Sequence, residues 1–142
     1  MNDYLNDLNL IDLISEKHKR LRKEVIKLWL EKKGEEITDT ESHLLAMLEI
    51  KSMTVAETAR KIDLSRQAVH KCAKKLINQG YIMMKCIEGN NRDKLIVLTE
   101  KGHEYCSEML IIKRYIEEEV AKEIGHESVA MMKALLRKDW IR

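Results

Sequence analysis

The 142-residue chain is 44% apolar and 35% charged, carries a net charge of +2, and contains neither proline nor phenylalanine. That balance is too apolar for general disorder, and no apolar run approaches the roughly 20 residues of a membrane-spanning helix. The N-terminal Met1-Asn2-Asp3-Tyr4 is acidic where a secretory leader is basic, so the expectation is one cytoplasmic domain over residues 1–142 with no membrane partner.

Residues 5–32 read as one long helix, because Ile11, Ile14, His18, Leu21, Val25 and Leu28 recur at spacings of three and four. Lys32-Lys33-Gly34 supplies cations and then a glycine where such a helix stops. Residues 38–50 form the second helix, opened by Thr38-Asp39-Thr40-Glu41 at capping-box spacing, with Leu44, Leu45 and Leu48 on its apolar side. Thr54-Val55-Ala56-Glu57 repeats that signal and starts a short third helix over 54–61. Ser65 is the expected N-cap of a fourth helix that runs to Gln79, buries Val69, Ala73, Leu76 and Ile77, and ends at Gly80. Only Asp63-Leu64 separates the third and fourth helices, the tight link that a helix-turn-helix requires.

The period then changes. Residues 81–87 and 94–98 are rich in Ile, Val and Tyr and read as strands. The polar stretch 88–93 between them is expected to be a loop longer than a two-residue turn. A β-hairpin placed after a helix-turn-helix is a wing. Thr99 starts another long helix, with Tyr105, Met109, Ile112, Ile116 and Val120 spaced like a coiled-coil seam. Gly125 breaks it, and residues 127–140 form the last helix, with Val129, Met132, Leu135, Leu136 and Trp140 as its apolar surface. The fold class is therefore mainly α with a small β-hairpin wing: a winged helix-turn-helix lobe over 38–98 between long helical regions, 1–34 and 99–142. Their stripes are hard to bury in one small monomer, which predicts a homodimer built on these terminal helices.

Charge points to the partner. Residues 1–41 hold eight Lys/Arg against ten Asp/Glu, whereas the segment 64–94 holds seven against two. A basic stretch centred on a helix-turn-helix is the footprint of double-stranded DNA. The early residues of the second helix of such a unit reach base edges in the major groove. Here they are Arg66, Gln67, His70 and Lys71, with arginine suited to guanine O6 and N7 and glutamine to adenine N6 and N7. Ser65, Lys74 and Lys75 are expected on phosphates. Arg92 and Lys94 flank the wing tip, where a guanidinium can enter the minor groove and an ammonium can hold a phosphate.

Three stretches carry a resemblance: residues 54–69, from Thr54-Val55-Ala56-Glu57 to Ser65-Arg66-Gln67-Ala68-Val69; Leu76-Ile77-Asn78-Gln79-Gly80-Tyr81-Ile82; and Arg92-Asp93-Lys94-Leu95-Ile96-Val97-Leu98-Thr99-Glu100-Lys101-Gly102. Together they resemble the MarR-type winged helix-turn-helix regulators, and the last is the most specific match. The resemblance implies a dimer on a palindromic operator, usually a repressor, with Arg92 as the wing arginine. The wing-bracing aspartate of that family is replaced here by Asn90, which removes a charge. The resemblance also implies release of DNA by a small phenolic or aromatic effector, with Trp29, His43, Met47, Tyr105 and Met109 as the candidate pocket.

No cofactor or metal is expected. His43 resembles one ligand position of a zinc-sensing branch, but Ser42 stands where its neighbouring acid would be, and the histidines expected near 109–113 are missing. Cys72, Cys86 and Cys106 lack metal-ligand spacing. Cys72 is the one thiol placed to link oxidation to DNA release, provided that Lys71 and Lys75 lower its pKa; burial beside Ala73, which would keep it inert, is the competing reading. The absence of a nucleophile–base motif or a glycine-rich phosphate loop speaks against an enzyme. The competing class is a winged-helix protein-interaction module without operator binding, which acidic residues along the fourth helix and wing would favour; only Glu88 and Asp93 occur there.

Overall fold

The computed structural model describes residues 3–142, with only the backbone described at Asp3 and Asn91. Met1 and Asn2, which open the acidic N-terminal stretch and the 1–34 region, lie outside the described residues. A 3-10 turn, Asp3–Asp7, precedes six helices and three strands: α1 Leu10–Lys33, α2 Asp39–Ile50, β1 Met53–Thr54, α3 Val55–Lys61, α4 Arg66–Asn78, β2 Ile82–Ile87, β3 Asn90–Leu98, α5 Glu100–Ile124 and α6 His126–Leu136.

The helix boundaries follow their caps. Asn9 accepts from the Asp12 amide at 2.9 Å, so α1 starts five residues later than its periodicity alone predicts. Thr38 caps α2 by accepting from the Glu41 amide, but the Glu41 side chain does not complete a capping box. Thr54 and Glu57 do complete one at α3, each accepting from the other's backbone N–H. The link from α3 to α4 turns at Asp63, whose φ of 54° is a left-handed conformation that Asp tolerates better than most side chains. There the Leu64 amide donates to the Ala59 carbonyl, which holds the turn of the helix-turn-helix closed. The last helix ends at Leu136, short of the expected residue 140, and the Trp140 indole N–H folds back onto the Leu135 carbonyl.

The sheet has the order β1-β3-β2 and is antiparallel throughout. Its first strand was not expected: Met53 and Thr54 pair with Ile96 and Leu95, but the two-residue strand is too short to show a period, and Thr54 already serves as a helix cap. The wing tip also differs from the expected loop. Ile87 pairs with Asn90 across a Glu88-Gly89 turn, and the next pair is Cys86 with Lys94, so residues 91–93 bulge out of β3.

One core joins α1 through α5 and the three strands, while, among the described residues, α6 and the N-terminal 3-10 turn add no buried residue to it. Leu44 and Leu45 from α2, Val69 and Leu76 from α4, and Ile96 from β3 are fully buried. Each such side chain contributes about 1.5–3 kcal/mol by leaving water. Leu76 and Val69 fix which face of α4 is inward. The α5 seam of Tyr105, Met109, Ile112 and Ile116 is buried within the chain, whereas the α1 stripe divides. Val25 at its C-terminal end is buried and Leu28 partly so, next to a buried Trp29 that lies outside the predicted stripe, while Ile11, Ile14 and Leu21 remain exposed.

Candidate nucleic-acid interface

Ser65 sets the start of α4 by accepting from the Ala68 amide at 3.0 Å. With Val69, Ala73 and Leu76 inward, helical geometry turns Arg66, Gln67, His70, Lys71 and Lys74 outward, and all five are exposed. The residues expected to touch bases therefore share one solvent-facing surface at the N-terminal half of the helix. No acidic residue lies in the first turn of α4, so nothing there opposes an approaching phosphate.

Lys75 is placed differently from its expected role. Its ammonium lies 2.7 Å from a carboxylate oxygen of Glu41, a residue almost wholly buried at the start of α2. The charge assigned to a phosphate is thus balanced by an internal partner. The sequence offered no sign of this, since the two residues are 34 apart and each sits in an ordinary helical pattern.

At the wing, Asn90 accepts from the backbone N–H of Arg92 at 2.9 Å and of Asp93 at 3.2 Å, and its own amide reaches the Asp93 carboxylate at 3.3 Å. The missing aspartate of the resemblance is thereby replaced by an asparagine that shapes the bulge through the backbone instead of through a salt bridge. Arg92 and Lys94 are exposed, and neither forms a salt bridge among the described residues.

A latch joins the end of α4, the base of the wing and the start of α5. The Tyr81 hydroxyl donates to Glu35 from the loop after α1, and Lys101 sits 4.6 Å from the Tyr81 ring centroid while donating to the Gln79 carbonyl at 2.7 Å. Burial, reinforced by Glu35, raises the Tyr81 pKa well above the ordinary tyrosine range. Glu35 and Lys101 are functional-lobe supports that periodicity could not reveal.

The five candidate effector residues do not share one cavity. Tyr105 and Met109 line a cleft of about 100 Å³ together with Ser42, Ala46, Cys106 and Lys113. Trp29 packs edge-on against Tyr105 with centroids 4.7 Å apart, inside the core, and its indole N–H has no hydrogen-bond partner among the described residues. Met47 packs half-buried against the core and His43 is exposed on α2. The Tyr105 hydroxyl donates to Ser42 at 3.0 Å, and burial pushes its pKa up to about 12. Lys113 is pushed down by burial and by the nearby Arg22.

The redox role considered for Cys72 meets the opposite environment. Burial, with the Glu41 carboxylate adding to it, pushes its thiol up to about 11, and Lys75 only partly opposes them. Of the two influences weighed for this thiol, burial outweighs the lowering by Lys75. Cys106 is buried, where Cys72 is half-buried; it reaches the Leu45 carbonyl and is pushed up to about 12. Cys86, on β2, is exposed.

Comparison with known proteins gives the same architecture. A winged helix-turn-helix DNA-binding family model matches residues 51–83, from just before β1 through α4 into β2. The chain is 27% identical over 103 residues to the HTH-type transcriptional regulator TcaR of Staphylococcus aureus, an alignment covering 71% of this chain and 68% of TcaR. The reduced form of MarR from E. coli superposes with a TM-score of 0.78 at 18% identity, over 92% of this chain and 95% of that one. A mutant E. coli MarR complexed with operator DNA gives 0.75 at 16% identity, over 96% and 97%. MepR, a transcription regulator of the S. aureus multidrug efflux pump MepA, gives 0.71 at 18% identity, over 91% and 94%. At these identities the superpositions establish a shared fold.

Proposed function

We propose that this winged helix-turn-helix chain, which has the fold of the MarR-type regulators, is a cytoplasmic transcription regulator that binds double-stranded DNA in a sequence-specific way. The observation that carries the reading is the outward face of α4, where Arg66, Gln67, His70, Lys71 and Lys74 are exposed together on a helix whose opposite side is locked into the core. Such a helix fits the major groove, and the exposed wing Arg92 offers a guanidinium for the adjacent minor groove. Ser65 and Lys74 serve phosphates, with Lys94 at the wing.

The operative unit is a homodimer on a palindromic operator. Helix α6 has no buried residue in the single chain, and Leu10, Ile11, Ile14, Leu135, Leu136 and Trp140 leave apolar surface on the terminal helices uncovered. A groove of about 370 Å³ lies open between α1, α5 and α6, the kind of surface that a partner's helices would fill. Two recognition helices related by a twofold axis read two half-sites, which is why a palindrome is the matching target. Repression follows where such an operator overlaps a promoter, and a small aromatic or phenolic effector held near Tyr105 and Met109 would release it.

The decisive experiment selects bound duplexes from a random library and then measures affinity for the winner by fluorescence anisotropy across about 50 to 200 mM salt. Enrichment of a palindrome and a steep salt dependence are the expected results. No measurable duplex binding at the lowest salt would sink the regulator reading in favour of a protein-interaction module.

A further inference from the structure

Glu41 is a charged residue in a place that gives it little in return. It is 4% exposed, one carboxylate oxygen meets Lys75 at 2.7 Å, and the other has no hydrogen-bond partner among the described residues. Removing a carboxylate from water is expensive, and a half-satisfied ion pair with one partner buried is a poor source of stability compared with an apolar pair of the same size. What such a pair does provide is direction, because the two groups lose their compensation as soon as the helices rotate or slide. Lys75 is on α4, the helix that carries the proposed base-reading residues, and Glu41 is on α2, which is itself tied to α5 by the Tyr105–Ser42 hydrogen bond one residue further on.

We propose that Glu41 is a positioning residue for DNA reading: by gripping Lys75 it fixes the rotation of α4 about its own axis and so aims Gln67 and Arg66 at their bases. The apolar face of α4 does not do this alone. Val69, Ala73 and Leu76 keep the helix against the core, but an apolar contact is non-directional and tolerates small rotations. The Glu41–Lys75 pair lies at the edge of that face, where a rotation changes the charge separation most directly. Lys75 therefore acts inward, as a handle on the recognition helix, and not as a phosphate contact. This inference rests on the DNA-binding reading of α4.

The test uses the full chain with its selected operator and an unrelated duplex. The readouts are the affinity for each and the dependence of operator affinity on salt. Lys75→Gln and Glu41→Gln each lower the ratio of specific to nonspecific affinity by about tenfold, the loss expected when the fit at one base pair fails. The salt slope of Lys75→Gln stays at the wild-type value, because no phosphate contact is lost. Lys75→Arg, which still donates to Glu41, retains the wild-type ratio, and the double variant loses no more than either single one. If Lys75→Gln keeps the ratio and reduces the slope by about one, Lys75 is a phosphate contact and the proposal is overturned. A lowered melting temperature with the ratio unchanged also overturns it, by showing a purely structural pair. Failure of the wild-type chain to bind any duplex refutes the DNA-binding reading itself, a result distinguishable from both. Lys75 is 46% exposed in its side chain, so its replacement leaves a folded protein in which to read the ratio even where Glu41→Gln does not.

Discussion

The Thr99 hydroxyl donates to the Gly80 carbonyl across 2.5 Å, while the Thr99 backbone N–H donates to the Tyr81 carbonyl at 3.0 Å. These bonds weld the C-terminal end of the recognition helix to the first turn of α5. The same hydroxyl accepts from the Gly102 amide at 3.1 Å and so caps α5. Gly80 permits the sharp exit from α4, at φ 85°. Gly102 has a different duty: a Cβ there would lie 2.2 Å from the Tyr81 carbonyl oxygen, which belongs to backbone and cannot swing aside. Gly102→Ala is therefore expected to destabilise the fold by about 3 kcal/mol through overpacking, despite the better helix propensity of alanine. Thr99→Val, which loses the cap and the bond to Gly80, costs about 1–2 kcal/mol. Urea denaturation followed by far-UV circular dichroism checks both, and an unchanged midpoint for Gly102→Ala refutes the close approach.

The proposed DNA contacts separate by their thermodynamic signatures. Arg92→Ala removes a cation from the wing and is expected to weaken binding to all duplexes, with the salt slope falling by about one. Gln67→Ala removes an exposed amide from the reading face of α4 and is expected to relax preference at one base pair by about 1–3 kcal/mol with the slope unchanged. Anisotropy titrations on the operator and on single-base variants distinguish the two. If both substitutions leave affinity and preference at wild-type values, the proposed docking is wrong.

Asn90 offers a sharper probe of the wing, since its side chain holds two consecutive backbone amides of the bulge. Asn90→Ala frees those amides to water in a segment that is otherwise unpaired. Amide exchange at Arg92 and Asp93 is expected to accelerate, and operator affinity to fall several-fold through loss of order at Arg92, while the melting temperature hardly moves because the tip is remote from the core. Asn90→Asp keeps the acceptor and should retain most of the affinity. Exchange rates at the bulge equal to wild type in Asn90→Ala would remove the basis for this role.

The local parts of this architecture were legible because local physics sets them. Ser65, Thr54 and Thr99 announce their helices in three or four residues, and the period along 69–76 shows which side of α4 is inward, although Ile77, expected on that side, is exposed. The exposed face of candidate base contacts follows from that period alone. Contacts between distant segments left no such trace. Glu41 and Lys75 each occupy a position where a solvated charge would be unremarkable, and only the packing of α2 against α4 brings them to 2.7 Å. The α5 seam was expected to serve a partner but is buried within the chain, because a heptad-like period states that a face is covered and not by which molecule. Strand β1 was missed for want of length, and the wing bulge because an asparagine beside a turn predicts a turn without showing which amides it will take.

The cysteines give a prediction in pH. The thiols of Cys72 and Cys106 have pKa values raised by burial from the ordinary 9.0 to about 11 and about 12. The folded state therefore holds their protons more tightly than the unfolded chain. This favours the fold fully below pH 9 and is progressively lost as pH rises from there through 11 and 12. Stability to urea is expected to fall over that alkaline range, and Cys72→Ser with Cys106→Ala should flatten the decline. Near neutral pH, a maleimide should label the exposed Cys86 first, the half-buried Cys72 slowly, and the buried Cys106 only once the chain is unfolded. Labelling of Cys72 as fast as Cys86 in the native protein at pH 7 would contradict its raised thiol pKa.

The terminal helices supply the last prediction. Ile11 is 75% exposed and Leu135 is 48% exposed in the single chain, at opposite ends of the sequence. Lys133 ties α6 to α5 through Glu117 at 2.9 Å, so α6 has a fixed place while its apolar residues remain uncovered. If a second copy covers them, a charge at either position should disrupt the dimer without disturbing the fold of the lobe, whose core contains neither residue. Ile11→Glu and Leu135→Glu are accordingly expected to sediment as monomers at micromolar concentration, with helical content close to wild type. Operator affinity should drop by about 100-fold or more, because the second half-site no longer benefits from the first. Affinity for a single half-site should stay the same, since the recognition helix and wing are untouched. Variants that sediment as dimers of unchanged operator affinity would place the interface elsewhere, and a loss of half-site affinity equal to the loss on the full operator would indicate damage to the lobe instead of separation of the subunits.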